Sequence, residues 1–255
     1  MNSKIRSAFQ VLSFVALCSS CQVPIEKKAM QDADDFRKSG QYEKAIDSYR
    51  IALKRKPDLL EASLGVGLCQ IELAQYDSAQ DTYLDIISRH SDCEQAHFRL
   101  GQLYLNQGKY QEAVVFLKKA LTINSGFGDT HYYLGLAYRE LKEYDQALKE
   151  FSLALEINPD LQDAYYNEGN IYTRLNQHEK AIEAYGKLLR KNPGHLMALY
   201  LTGDSYYALG RYSEAEAMFK KALEVNLGFT AAHLALKKCQ EKLSSSGAGK
   251  ETKNP

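Results

Sequence analysis

Two cysteines near the start of the chain, Cys18 and Cys21, are spaced as a C-x-x-C pair, which in redox proteins forms a reactive dithiol. A redox pair of this kind belongs to a βαβ unit. Here the pair follows a short apolar run, and no strand pattern comes after it. The spacing therefore does not predict redox chemistry, and the pair has to be interpreted together with the segment before it.

Other groups of residues match catalytic or metal-binding motifs only in part. Gly249 and Lys250 lack the following Ser or Thr, and the earlier glycine, of a phosphate-binding loop. His97 and His131 lie 34 residues apart, but a metal would need further ligands, and core or boundary positions account for both. The aspartates within 32–35 fit a solvated end face better than a metal cluster. We therefore predict no enzyme activity, no cofactor and no metal site.

The N-terminal segment 1–20 has the composition of an export signal. Two basic residues precede a mostly apolar run, 8–17, which is too short to cross a bilayer core of about 30 Å. The segment resembles the signal of bacterial lipoproteins, in which a small residue precedes a cysteine that is acylated after cleavage. This resemblance implies lipid attachment at Cys21, with 21–25 as attachment site and linker. A plain signal peptide, an uncleaved anchor and an accidental pattern are the alternatives.

The same resemblance implies a place in the cell. Gln22 rather than Asp follows Cys21, which by analogy with enteric bacteria favours a lipid-anchored, periplasm-facing protein of the outer membrane. Cys18 stands three residues before Cys21, where the family prefers Leu. We expect the rest of the chain to sit close to the membrane surface, because 22–25 is a short linker.

Composition excludes further classes of function. Among 255 residues, 32 Lys and Arg balance 32 Asp and Glu, and this lack of basic excess argues against a nucleic-acid-binding protein. Five cysteines are too few for a disulfide scaffold. If Cys21 carries lipid, an oxidising compartment would allow at most one disulfide among Cys69, Cys93 and Cys239. Buried free thiols are the simpler expectation.

A period of 34 residues organises the chain from 26 to 229. Apolar residues recur at helical spacing in two segments of each unit, and no stretch shows sustained two-residue alternation. We therefore predict two helices per unit and no strands. The units are 26–59, 60–93, 94–127, 128–161, 162–195 and 196–229, with aligned alanines at Ala45, Ala79, Ala113, Ala147, Ala181 and Ala215.

The units resemble the tetratricopeptide repeat (TPR) family. Units 2 to 6 have Gly at position 8, most units have aromatic residues at positions 11, 17 and 24, and three have Pro at position 32, at Pro57, Pro159 and Pro193. The resemblance implies an all-α protein, a right-handed α-solenoid of six helix-turn-helix repeats. We expect each glycine to face an alanine where two helices approach closely, and aromatic side chains to fill the space around this contact. A capping helix at 230–243 and a disordered tail at 244–255 should follow the repeats.

In TPR solenoids the first helix of each repeat lines a concave groove, at positions 2, 5, 6, 9, 12 and 13. Position 5 is aromatic in four consecutive units, which we call the aromatic row: Phe98, Tyr132, Tyr166 and Tyr200. The other candidate groove residues are Tyr207, Arg99, Arg139, Asn170 and Arg174, with Tyr133, Gln102, Asn106, Asn167 and Asp204 nearby. Tyr and Arg are favoured binding anchors. The alternative is that the row is the default composition of the repeat.

These observations predict a membrane-tethered scaffold of the bacterial cell envelope that binds protein or peptide partners in its groove. Similar lipoproteins assist pilus secretins, cell-wall hydrolases or outer-membrane assembly, and the sequence does not choose among them. A chaperone-tail clamp is not expected, because no unit pairs Lys at position 5 with Asn at position 9. A surface adhesin, a substrate-capturing component of a transporter and a soluble TPR adaptor are the alternatives.

Overall fold

The computed structural model describes residues 23–248, and the regular secondary structure in that range is entirely α-helical. The all-α fold predicted from the sequence is thereby confirmed. The helices are α1 (Ile25–Lys38), α2 (Tyr42–Arg55), α3 (Leu60–Glu72), α4 (Tyr76–Arg89), α5 (Glu94–Asn106), α6 (Tyr110–Ile123), α7 (Gly128–Glu140), α8 (Tyr144–Ile157), α9 (Gln162–Arg174), α10 (His178–Lys191), α11 (Leu196–Ala208), α12 (Tyr212–Val225) and α13 (Thr230–Ala248).

The helix boundaries repeat with the period of the sequence. From α3 onward, each first helix of a repeat begins 34 residues after the previous one, and the second helices keep the same step from α2. The turn between the two helices contains one residue with positive φ, which suits glycine at the end of a helix. Three turns use glycine and three do not: Gly40, Gly108 and Gly210 against Ala74, Lys142 and Asn176.

The chain forms two compact units, and the first contains the described residues up to Leu103. Helix α2 packs against both α1 and α3, and α3 packs against α4. Tyr49 is 1% exposed in this core. Its hydroxyl donates to Asp34 Oδ1 over 2.6 Å, so one of the aspartates at the solvated end face also holds a core side chain in place.

The second compact unit contains the described residues from Tyr104 onward. Each helix from α6 to α13 packs against the helices before and after it within this unit. Because one amphipathic helix pair cannot bury its apolar face alone, this stacking supplies the core. Phe151, Tyr185 and Phe219 at position 24 of three successive repeats are almost completely buried.

The glycines at position 8 of four repeats lie against the aromatic ring at position 24 of the same repeat: Gly67, Gly135, Gly169 and Gly203. The expected aromatic filling is therefore present, and the ring supplies the atoms nearest to an added Cβ. A Cβ atom added to Gly67, Gly135 or Gly203 would lie 2.7 Å from the ring at position 24 of the same repeat. Carbon atoms pack at about 3.5–4.0 Å, so in these three repeats the ring can occupy its place because the glycine lacks a Cβ. The alanines at position 20, such as Ala147, are buried as well.

The C-terminal helix is longer than predicted, since α13 continues past Leu243 to Ala248. The hydroxyls of Ser244 and Ser245 donate to the carbonyls of Glu241 and Lys242 over 3.0 and 2.9 Å, which supports the last turns. None of the described helices is both long and apolar enough to cross a membrane. The signal at 1–20, the acylation site Cys21 and the end of the predicted tail, 249–255, lie outside the described residues.

The three described cysteines, Cys69, Cys93 and Cys239, are free thiols in buried positions. Burial disfavours the thiolate and raises the pKa of each thiol. None of the three is therefore arranged as a reactive nucleophile.

Candidate functional site

A cleft of about 570 Å³ opens within the second compact unit, and we call it the Tyr166 cleft. It is lined by α7, α9 and α11, which are first helices of three successive repeats, and by the turn that leads into α8. Its lining residues are Arg139, Glu140, Lys142, Tyr144, Tyr166, Asn170, Thr173, Arg174, Met197 and Leu201.

Tyr166 is half-buried and stands between the core and the cleft. Its ring centroid lies 6.2 Å from that of Tyr185 and 5.4 Å from the ring of His195. Contacts of this kind between aromatic rings hold the side chain in one orientation. Tyr166 therefore offers a rigid surface to a ligand, and it also belongs to the packing of its repeat.

Asn170 is oriented by a buried tyrosine. The hydroxyl of Tyr185 donates to Asn170 Oδ1 over 2.8 Å and lies 3.3 Å from the hydroxyl of Thr173. Burial raises the pKa of Tyr185 to about 12, so the hydroxyl keeps its proton at neutral pH. Because the amide oxygen of Asn170 is already bound, its N–H groups are the ones available to a ligand in the cleft.

Arg139 is committed to contacts within the protein. It donates to Glu140 Oε1 from Nε over 3.0 Å and from a terminal nitrogen over 2.6 Å, and it also donates to Asn167 Oδ1. The buried Asn167 donates to the carbonyl of Asp163 over 2.8 Å and to the Tyr132 hydroxyl over 3.4 Å. Burial raises the pKa of Tyr132 to about 12.

Two further cations stand at the edge of the Tyr166 cleft. Lys142 and Arg174 are exposed, and neither forms an ion pair or a hydrogen bond with another described residue. Lys142 has a φ of 62°, at the turn position where three other repeats use glycine. Both side chains are free to contact a bound molecule.

A smaller cleft of about 170 Å³ lies between α11, α12 and α13, and we call it the Tyr200 cleft. Tyr200 packs its ring 5.7 Å from that of Phe219 and 5.2 Å from that of Phe229. Asp204 and Lys238 bring opposite charges to this cleft, so it has no net preference for either sign. Its lining residues are Tyr200, Asp204, Tyr207, Phe219, Ala231, Leu234, Ala235 and Lys238.

The structure brings together part of the predicted groove set. Four predicted residues line the Tyr166 cleft, namely Arg139, Tyr166, Asn170 and Arg174, and two line the Tyr200 cleft, Tyr200 and Tyr207. Tyr132 lines neither cleft and binds Asn167 instead.

The two remaining candidates, Phe98 and Arg99, belong to the first compact unit. Phe98 is 8% exposed and lies under the Arg99 guanidinium at 5.5 Å from its ring centroid, so it offers almost no surface to a ligand. Arg99 also donates to Gln102 Oε1 over 3.0 Å.

Six residues of the Tyr166 cleft were not named from the sequence. Four of them occupy positions that the TPR resemblance assigns to the groove: Glu140 at position 13, Thr173 at position 12, Met197 at position 2 and Leu201 at position 6. They were not named because their residue types are not typical binding anchors. Lys142 and Tyr144 come from the turn and from the second helix, outside those positions.

The two histidines considered as ligands have other partners. His131 Nδ1 lies 2.6 Å from Glu150 Oε2, and His97 Nε2 lies 3.0 Å from the carbonyl of Ser91. Within residues 23–248 no group of three or more His, Cys, Asp or Glu side chains is placed to hold a metal ion.

The repeat pattern, the paired helices and the glycine–aromatic contacts define a class of helical repeat proteins, and the chain belongs to the tetratricopeptide repeat family. One family model described as a tetratricopeptide repeat matches residues 31–73, 70–126 and 166–227. A second model of the same description matches residues 104–168. No curated protein matches the chain.

Several solved structures share this fold. A crystal structure of MamA is 30% identical, covers 63% of this chain and 94% of its own, and has a TM-score of 0.61. YrrB, described as a TPR protein with an unusual peptide-binding site, is 22% identical, with 74% and 97% covered and a TM-score of 0.66. PilF of Pseudomonas aeruginosa is 17% identical, with 86% and 97% covered and a TM-score of 0.69.

Proposed function

We propose that this chain is a binding scaffold of the bacterial cell envelope, which holds an extended segment of a partner protein in the Tyr166 cleft and is tethered to the membrane through lipid at Cys21. The observation that carries the binding role is the cleft itself. It joins an apolar side, formed by Met197, Leu201 and the Tyr166 ring, to a polar side formed by Asn170 and Arg174.

The size and chemistry of the cleft suit a peptide. Its volume of about 570 Å³ lies in the range of ligand sites, roughly 300–1,000 Å³. Asn170 is fixed by the Tyr185 hydroxyl, and Tyr166 is fixed by two neighbouring rings. Groups that are already ordered lose little conformational entropy when a ligand binds, which favours affinity.

The solved relatives support this proposal at the level of the fold. YrrB is described as having a peptide-binding site, and it shares the TPR fold over 74% of this chain. TPR repeats present the first helices of neighbouring units side by side, and the Tyr166 cleft is built from three such helices.

The tether rests on the sequence of the N-terminal segment. The basic start, the short apolar run and the Ser19-Ser20-Cys21 sequence support acylation at Cys21. Because one acyl chain binds a membrane only marginally, the several chains carried by lipoproteins would be needed for a stable anchor. Cys21→Ala should move the protein from the membrane pellet to the soluble fraction, and a variant that stays in the pellet after alkaline washing would contradict the tether.

The binding role is tested by crosslinked affinity capture from native envelopes. Replacing the aromatic row would confuse binding with folding, since Tyr166 and Tyr200 both pack against core rings. We therefore choose Arg174→Glu in the cleft, with Arg190→Glu as control, because both arginines are exposed and Arg190 lines neither cleft. We expect a specific partner to be captured by the wild type and by the control and lost by Arg174→Glu. Equal capture by all three proteins would contradict the proposal.

A further inference from the structure

We infer that the Tyr166 cleft selects protein segments in which an acidic side chain lies next to an apolar one. This inference rests on the proposed function, and it names the chemistry of the partner that the cleft accepts. Some polar groups in the cleft are already bound within the protein, and the remaining ones are available to a ligand.

The available groups are hydrogen-bond donors. The amide oxygen of Asn170 accepts from Tyr185, which leaves its N–H groups for a ligand. Lys142 and Arg174 have no ion pair or hydrogen bond among the described residues, and neither of their side chains can accept a hydrogen bond. A ligand that satisfies these three groups must supply acceptors, and carboxylate oxygens are the strongest acceptors that a protein segment carries.

The charges of the lining lead to the same conclusion. Arg139, Lys142 and Arg174 are positive, and Glu140 is the one acidic residue that lines the cleft. Glu140 is already bound by Arg139, at 2.6 Å, which leaves the charges of Lys142 and Arg174 without a counter-charge. The whole chain has no net charge, so the positive lining is a local feature of this cleft.

The opposite side of the cleft is apolar. Met197 is 39% exposed, although it is a large hydrophobic side chain, and Leu201 and the Tyr166 ring are half-buried beside it. An apolar side chain of the partner would remove this surface from water. The two sides together call for a carboxylate and an apolar group in neighbouring positions of one extended segment.

Two substitutions remove the positive charges without touching the core. Lys142 has left-handed backbone, and glycine adopts that conformation without the steric cost of a Cβ. Lys142→Gly therefore removes the ammonium group and should leave the fold at least as stable. Arg174→Gln removes the other free charge from an exposed side chain.

Each substitution has a matched control in the same chain. Ala74→Gly replaces a residue with a φ of 55° at the equivalent turn and changes no charge. Arg190→Gln removes an exposed arginine that lines neither cleft.

The test uses a phage-displayed library of random twelve-residue peptides, selected on the full chain. Bound peptides are synthesised, their contacts are mapped by crosslinking and mass spectrometry, and their affinities are measured by fluorescence anisotropy. We expect peptides that crosslink to the cleft to be enriched in Asp or Glu beside an apolar residue. Their affinity should fall about three- to tenfold with Lys142→Gly, with Arg174→Gln or with Glu→Gln in the peptide, should fall with added salt, and should not change with either control.

The other outcomes distinguish failure of the acidic preference from failure of the binding role. Peptides that crosslink to the cleft but show no acidic enrichment, or that bind both charge variants as tightly as the wild type, overturn the acidic preference and leave the binding role intact. If no selected peptide crosslinks to the cleft, both the acidic preference and the binding role fail.

Discussion

Replacing Gly203 by alanine should destabilise the sixth repeat, although alanine is the better helix former. Gly203 lies inside α11, and an added Cβ would meet Cε1, Cδ1 and Cζ of Phe219 at 2.7, 2.8 and 3.1 Å. The Phe219 ring is 1% exposed and has the Tyr200 ring 5.7 Å away. To relieve the conflict, either the ring must shift against Tyr200 towards the cleft that both residues line, or the backbones of α11 and α12 must separate.

The expected loss of stability follows from two opposing effects. Alanine in place of glycine gains about 1 kcal/mol in helix propensity. Inserting a methyl group into a well-packed core typically costs about 1–3 kcal/mol. Because the steric conflict involves a buried ring, we expect a cost in the upper part of that range, about 2–3 kcal/mol. After the gain in helix propensity is subtracted, the free energy of unfolding should fall by about 1–2 kcal/mol.

Gly186→Ala is the matched control, because Gly186 also lies inside a helix, α10. The nearest atom to its added Cβ is the Arg190 side chain at 4.0 Å. Only the helix-propensity gain applies there, so we expect stabilisation by about 0.5–1 kcal/mol. Urea unfolding followed by far-ultraviolet circular dichroism measures both variants, and an unchanged m-value would show that the comparison is valid.

The signs of the two stability changes test whether the contact between Gly203 and the Phe219 ring matters. If Gly203→Ala is neutral or stabilising, the close approach between Gly203 and the Phe219 ring does not govern the stability of this repeat. The double variant Gly203→Ala with Phe219→Leu adds a further check, since leucine lacks the Cε and Cζ atoms. Its destabilisation should be smaller than the sum of the two single effects, and additive effects would contradict the contact.

Three other predictions concern titration and backbone strain. Burial raises the pKa of Tyr185 from 10.0 to about 12, so the contribution of its neutral hydroxyl to stability is complete below pH 10 and is lost as the pH rises towards 12. Tyr185→Phe should therefore flatten the alkaline loss of stability in urea unfolding, and an unchanged slope would contradict this prediction. Burial raises the pKa of Glu168 above its usual value of 4.5, so the charged carboxylate destabilises the folded chain at pH 7. Glu168→Gln should raise the melting temperature at pH 7, and the difference from the wild type should shrink below pH 4.5. Equal melting temperatures of variant and wild type at both pH values would refute this prediction. Ala74 has a φ of 55°, and Ala74→Gly should stabilise the chain by up to about 1 kcal/mol in urea unfolding, whereas a loss would show that the turn carries no strain.

Most of the fold could be predicted because each repeat contains the same helix-ending and helix-packing residues at the same positions. The prolines at position 32 follow the ends of second helices, as Pro159 follows α8, since proline cannot continue a helix. Six copies of the pattern fix the period even where one copy departs, as His178 does at the start of α10. Which aromatic side chain lies against each position-8 glycine could not be predicted, because the period does not specify which of the aromatic positions fills the gap between two helices.

The site could be predicted in part, for a related reason. Positions 2, 5, 6, 9, 12 and 13 locate eight of the ten residues of the Tyr166 cleft, since they follow one face of a first helix. Lys142 and Tyr144 were missed because they lie outside these positions, and their place in the cleft depends on how the turn before α8 packs beside the following repeats. Phe98 shows the limit of the pattern, since the same position is buried at 8% exposure in one repeat and half-buried in others.

Site-specific photocrosslinking in native envelopes tests the central claim most directly. One photoreactive residue replaces Met197, which is 39% exposed in the Tyr166 cleft, and another replaces Val115, which is 63% exposed on α6 and lines neither cleft. We expect a discrete crosslinked product at position 197, formed through a segment of one partner protein, and no such product at position 115. Products of the same size and abundance at both positions, or none at position 197, would contradict it.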